Sequence, residues 1–202
     1  MMASWVPWVG VMVVAAACRQ DPRVLVQVPA VDSATVQLAR AVADSLDEEL
    51  MGLLAATLEQ GGPALAIHIC ADSAQVRTLR HWKNGVYIRR VSRRVRNVDD
   101  TPDAIERRLL EDLAEARRQK RLPRELVQVI RAPDGTAELQ YIRPLLVDGR
   151  CLPCHGDPAE FDPEVRAALA RRYPEDRATG YAVGDLRGAV SVRVPLRSPS
   201  LP

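Results

Sequence analysis

The pentapeptide Cys151-Leu152-Pro153-Cys154-His155 restricts this 202-residue chain more than any other segment. Whatever the fold, it must present two thiols and an imidazole within five residues, at a place that chemistry can reach. Two cysteines at C-x-x-C spacing can add across the two vinyl groups of one haem, and the histidine that follows is then delivered to one face of the iron. A covalent link keeps haem in place where a small core cannot enclose it. The motif therefore predicts a single covalent haem c, with thioethers at Cys151 and Cys154 and His155 as an axial iron ligand. It follows a predicted strand and lies in a loop bounded by Gly149 and Gly156.

Three other uses of the motif compete with this one. A structural zinc site takes four ligands, usually from two separated pairs. Only Cys70, His68 and His81 could complete it, and there is no second C-x-x-C. A redox dithiol of the thioredoxin kind belongs at a helix start within a βαβ unit, and the chain shows no such context. The plainest alternative is an ordinary disulfide of an exported protein.

Export is indicated at the other end. Trp5 to Ala17 is almost wholly apolar and ends in Ala15-Ala16-Ala17-Cys18. An apolar run followed by small residues is an export signal. A cysteine directly after the small residues looks like the lipobox of bacterial lipoproteins, in which Cys18 would become the lipidated N-terminus. No Lys or Arg precedes the run, a departure from the usual signal, and the run is short for a membrane-spanning helix. The expectation is an export signal over 1–18, a tether over 19–32 containing Pro22 and Pro29, and a periplasmic protein anchored to a bacterial membrane through Cys18. Thiols outside the cytoplasm tend to be oxidised or occupied. With Cys18, Cys151 and Cys154 accounted for, Cys70 is left over among the 4 cysteines.

An apolar share of 47% supports a packed core, and with aromatics at 4% that core must be aliphatic. A net charge of +2 gives no footing for nucleic acid. From Ser33 a long helix is predicted, with Leu38, Val42, Leu46, Leu50, Leu53, Leu54 and Leu58 at helical spacing, ended by Gly61-Gly62-Pro63. Residues 64–80 alternate at first like a strand but read better as a second helix. Residues 86–92 read as a strand. Thr101, Pro102 and Asp103 carry helix-start chemistry for a helix running to about Lys120. Two strands, 126–131 and 138–146, flank the hairpin signal Asp134-Gly135. A short helix starts at Asp162-Pro163. In the last strand Val190, Val192 and Val194 alternate with Ser191 and Arg193, which predicts one buried face. Without βαβ alternation, the fold class is α+β, a mainly antiparallel sheet with flanking helices and one long N-terminal helix.

The C-terminal half resembles a known family. Its pattern is Tyr141-x-x-Pro144, Cys151-x-x-Cys154-His155-Gly156, Tyr173-Pro174-x-Asp176-x-Ala178, then Gly180-Tyr181-x-x-Gly184-Asp185-x-x-Gly188-Ala189-x-Ser191-Val192 and Pro195. This is similar to a bacterial c-type haem family with a PAS-like sensor fold, long a domain of unknown function, whose members occur alone or at the front of histidine kinases. Arg90-Val91-Ser92, Arg96-Asn97 and Thr101-Pro102-Asp103 resemble its N-terminal segment, with Val98 in place of the usual Pro and Asp100 in place of a frequent Asn. The resemblance spans roughly 33–195 and implies a PAS-like haem c domain, taken here as 33–197 with a tail over 198–202. It also implies Cys70 as the second axial ligand, which residue spacing alone does not reveal.

The remaining candidates are weaker. His68, His81 and Met51 stay open as alternative ligands, with packing the plainer reading of each. Arg89, Arg90, Arg93, Arg94 and Arg96 make a basic segment that reads either as a solvated strand edge or as partners of haem propionates, with Arg93 and Arg96 the first choices. Asp185 and Tyr181 are expected to order the loop before the last strand. No catalytic constellation is evident. The functional expectation is a redox or gas sensor module that binds a diatomic ligand and acts through a separate signalling or redox partner. The alternative is a membrane-tethered electron-transfer cytochrome, and a peroxidase-like enzyme ranks last.

Overall fold

The valine alternation near the C-terminus builds the strand on which the domain is organised. In the computed structural model, which describes residues 31–132 and 134–196, this strand runs from Leu186 to Pro195. Numbered in chain order, the strands are β1 (Tyr87–Val91), β2 (Leu126–Arg131), β3 (Ala137–Leu146) and β4 (Leu186–Pro195). They form one antiparallel sheet in the order β1-β4-β3-β2. Its register pairs Arg90 with Val190, Tyr141 with Val192 and Val127 with Tyr141. Gly135, at φ 87°, makes the turn between β2 and β3 that the Asp134-Gly135 pair predicts.

Val190, Val192 and Val194 are buried as the alternation requires, yet Ser191 is fully buried too. The expectation of a single buried face is therefore corrected: both faces of β4 are covered. Ser191 tolerates this because its hydroxyl donates to Glu106 Oε1 at 2.8 Å, and Gln140 Nε2 donates to the same hydroxyl at 2.9 Å. A buried polar group costs little once it is hydrogen-bonded.

Helix α1 (Ser33–Arg80) covers one face. It is two helical segments across a kink at Gly61 and Gly62, the latter at φ 71°, where glycine is the residue without steric penalty. Pro63 then opens the second segment, a position where its missing N–H costs nothing. The long helix ending there and the second helix over 64–80 are thus both present. The two segments run back against each other, since Glu49 Oε1 accepts from Arg77 at 2.8 Å and Glu49 Oε2 lies 2.8 Å from His81 Nε2. The predicted leucine stripe is corrected in part. In the first segment Ala39, Ala43, Leu46 and Leu50 are buried against Ile88, Leu139, Tyr141, Val190 and Val192, Thr57 is buried as well, and Leu38 is 45% exposed. Small alanines let the helix axis approach the sheet, while Leu38 turns outward and Leu53, Leu54 and Leu58 are only partly buried.

Helix α2 (Ala104–Arg118) covers the other face, burying Leu109, Leu110 and Leu113 against Val91, Ile142 and Ala189. Each such leucine contributes about 1.5–3 kcal/mol on burial. Its N-cap is Asp103, in a capping box with Glu106, while Thr101 closes a preceding 3-10 turn by donating to Val98 O at 2.6 Å. The short α3 (Leu152–His155) and α4 (Pro163–Arg172) lie beside the second segment of α1. The expected α+β architecture, with a four-stranded antiparallel sheet, flanking helices and one long N-terminal helix, is the one observed. The export stretch, Cys18, the tether up to residue 30 and the tail lie outside the described residues, whereas Asp32 is the N-cap of α1.

Candidate functional site

The motif is a compact helical turn rather than an open loop. Asp148 starts it, its carboxylate accepting from Arg150 N at 2.8 Å, and Gly156 N closes it onto Leu152 O at 2.8 Å. A Cβ at Gly156 would lie 2.8 Å from that same carbonyl, so the residue after His155 has no room for a side chain. Cys151 and Cys154 are free thiols, both half-buried. Cys154 packs beside Ile67 of α1 and Phe161 and Val165 near α4. Cys151 packs with Val147, Ala178 and Tyr181.

A second stretch of chain folds over the motif. Tyr181 N donates to His155 O at 2.9 Å, and Ala178 N donates to Asp176 Oδ1 at 2.7 Å. Ala182 N donates to Asp185 Oδ2 at 2.8 Å, the loop-ordering role expected of Asp185. The main consequence falls on His155, whose Nδ1 lies 2.6 Å from Ala178 O. A carbonyl only accepts, so Nδ1 carries the proton and Nε2 keeps its lone pair. Metal-ligating histidines are held in this way, the second ring nitrogen donating to a carbonyl or carboxylate.

Arg96 ties the two stretches together. Its Nε donates to Asp176 Oδ2 at 3.0 Å, and its Nη2 donates to the carbonyls of Cys154 and Ala178, the latter at 3.4 Å. Arg96 is thus engaged in holding the main chain around His155. Arg93, the other propionate candidate, is exposed and lines two cavities of about 430 and 400 Å³ that border the site.

The electrostatics keep His155 neutral. Burial pushes the His155 imidazole down to about 3, and the guanidinium groups of Arg96, Arg187 and Arg90 act in the same direction. Burial raises the thiols of Cys154 and Cys151. That is the opposite of the lowered thiol that drives a thioredoxin-like dithiol. Among the described residues, no three His, Cys, Asp or Glu side chains converge as a metal cage, so nothing supports four-ligand zinc.

Cys70 lies on the second segment of α1, half-buried and free, and its charge would bear on Cys154 and Tyr173. Burial raises its thiol, against the pull of Arg90 and Arg77. Ile67 and Ala74 on the same segment are buried. Of the alternative ligands, His81 is occupied with Glu49 and Met51 is 44% exposed. His68 is partly buried on α1. Sequence reasoning missed the Ala178 carbonyl, Asp176 as partner of Arg96, and Arg187. The spacing Asp176-x-Ala178 was the available signal for the first two.

The donor set fits a c-type haem in kind: two unpaired thiols, an imidazole with its Nε2 free, and surrounding cations suited to an anionic macrocycle. A family model described as Tll0287-like matches residues 20–195. The crystal structure of the cyanobacterial heme-protein Tll0287 is similar in fold, with a TM-score of 0.63. It covers 84% of this chain and 100% of its own, at 24% identity. No curated protein matches the chain.

Proposed function

Because the chain belongs to the Tll0287-like family, we propose that it is a haem protein holding one haem c through Cys151 and Cys154, with His155 on the iron. The family, and a similar structure whose description is a heme-protein, support haem binding in general. The observation that carries the specific reading is the 2.6 Å bond from His155 Nδ1 to Ala178 O, which leaves Nε2 free beside two thiols at C-x-x-C spacing. When bound, haem supplies a one-electron Fe(III)/Fe(II) couple and an iron that accepts axial ligands.

The chain's own residues then have distinct tasks. Cys151 and Cys154 hold the group covalently, and His155 is kept neutral by burial. Arg96 and Asp176 position the carbonyl that orients the imidazole. Cys70, on the segment of α1 beside Cys154, would be the second residue to hold the iron. Burial raises its thiol and Arg90 and Arg77 only oppose that rise, so the thiolate would depend on the iron, and once formed it would hold the potential low. Acid-acetone extraction tests the core of this reading: the protein keeps its haem, and Cys151→Ala with Cys154→Ala releases it. Loss of all haem from the parent refutes it. Cys70→Ala removes the thiolate signature from the ferric low-spin spectrum and raises the potential. An unchanged spectrum and potential would return Cys70 to packing and direct the test to His68.

We further propose that the exported, lipid-anchored protein is a sensor module of PAS-like type, working through a separate partner by a redox or gas signal. For this role Cys70 would have to give up its hold on the group when the haem is reduced. Displacement of the sixth ligand by CO supports it. An inert sixth ligand with fast electron exchange makes the protein an electron carrier instead. Mass spectrometry of the mature N-terminus tests processing before Cys18.

A further inference from the structure

Arg187 stands at the start of β4, partly buried, and is absorbed by none of the roles above. Its Nη1 donates to two neutral acceptors, Ser92 Oγ at 2.8 Å and Arg94 O at 3.2 Å. No carboxylate lies within ion-pair distance of it among the described residues. The charged or titratable groups that act on it most are Tyr181, Arg96, Arg90 and Asp100; His155 also feels its charge, and Asp185 lines the 430 Å³ cavity beside it without forming an ion pair with it. Arg96 is paired with Asp176 at 2.9 Å, and Asp100 Oδ1 accepts from Gln75 at 2.9 Å. Arg90 forms no ion pair among the described residues either, so positive charge is in excess. A guanidinium taken out of water without an anion is costly, and burial accordingly holds Arg187 below the usual arginine range.

Its location points to the missing anion. The Arg187 guanidinium carbon is 5.7 Å from the centroid of the Tyr181 ring, and the His155 ring is 6.3 Å from the same centroid. The cation and the iron-ligating imidazole thus flank one tyrosine. With Nη1 committed to Ser92 and Arg94, Nε and Nη2 have no acceptor among the described residues and open to solvent, where a ligand could reach them. Those two nitrogens form one fork of the guanidinium, the arrangement that accepts a carboxylate side-on through two parallel bonds. Arg187 also lines the 430 Å³ cavity together with Tyr181 and Arg94.

We propose that Arg187 receives a propionate carboxylate of the haem, a role that rests on the haem reading above. Sequence analysis favoured Arg93 and Arg96 for this contact. Arg96 is engaged with Asp176 and the main chain, and Arg93 is exposed.

The test compares R187Q, R187K, R93Q and the distant surface variant R118Q, each as the full haem-loaded chain. All four should keep one covalent haem per chain. In R187Q the propionate loses its cation, so its protonation moves to higher pH and the midpoint potential falls. The propionate bending band in the resonance Raman spectrum, sensitive to hydrogen bonds at the carboxylate, shifts in R187Q and R187K alike, because lysine lacks the fork. R187K keeps the charge and stays near the parent in potential. R93Q and R118Q match the parent throughout. An unmoved Raman band in both Arg187 variants overturns the inference, as does a shift found in R93Q instead. If R187Q does not accumulate, the Raman band of R187K decides alone. A parent chain without covalent haem overturns the haem reading and this inference with it, whereas haem present with unmoved spectra overturns only the inference.

Discussion

Asp176→Asn isolates one charge at the pivot of the site. Asp176 and Arg96 are 2.9 Å apart, with side chains 9% and 11% exposed. Removing one partner of a buried pair costs about 3–5 kcal/mol, because the other charge is left uncompensated. Two features lower the figure here. Some water reaches both groups, and Arg96 Nη2 keeps its bonds to the carbonyls of Cys154 and Ala178. A loss of about 2–3 kcal/mol is expected, which for a domain of this size is a fall in Tm of about 4–12 °C. Urea titration followed by far-ultraviolet circular dichroism measures it. The companion Arg96→Met should cost a similar amount, and the double variant should cost less than the sum, with a coupling of about 1–3 kcal/mol. A loss below about 0.5 kcal/mol for Asp176→Asn, of the size seen for featureless surface changes, would refute the reasoning. So would strict additivity in the double variant.

Gly188→Ala should destabilise the chain by about 3 kcal/mol, the upper end for overpacking, because the new Cβ would meet Val91 O at 2.3 Å and Ser92 Cβ at 3.2 Å. A urea midpoint equal to the parent's would show that β1 and β4 are not so close there. In the haem-free Cys151→Ala/Cys154→Ala chain, His155 has a folded pKa of about 3 against an ordinary 6.5. Between those values the unfolded chain binds the extra proton. Stability should therefore fall as pH drops from about 6.5 towards 3, by at most about 1.4 kcal/mol per pH unit. Replacing His155 by Gln should flatten that slope, and a slope that survives the replacement assigns it to other groups.

What the sequence made legible was set by neighbours along the chain. Alternation marked β4, short strand-like runs marked β1, β2 and β3, Asp134-Gly135 marked the hairpin, and Gly61-Gly62-Pro63 marked the kink in α1. The buried alanine stripe of α1 was hidden, because a larger leucine stripe runs beside it and only packing against the sheet chooses between them. The covered second face of β4 depended on Glu106, a residue 85 positions away. At the site, the thiols and His155 were legible from spacing. The carbonyl of Ala178, 23 residues downstream, was not, since a main-chain acceptor leaves no residue type to recognise. Arg187 was hidden for another reason. The register between β3 and β4 shifts at Leu145 and Leu146, so strict alternation does not place the residue before Gly188.

The hydrogen bond that orients His155 has a consequence for how the site tolerates change. Its acceptor belongs to the main chain, so no point substitution can delete it. Ala178 could be exchanged without altering the atom that matters. The vulnerable positions are displaced instead onto Arg96 and Asp176, which hold that carbonyl in place and never touch the ring. A genetic screen for loss of function should therefore gather its hits at those two residues and pass over Ala178 wherever the replacement fits the buried space.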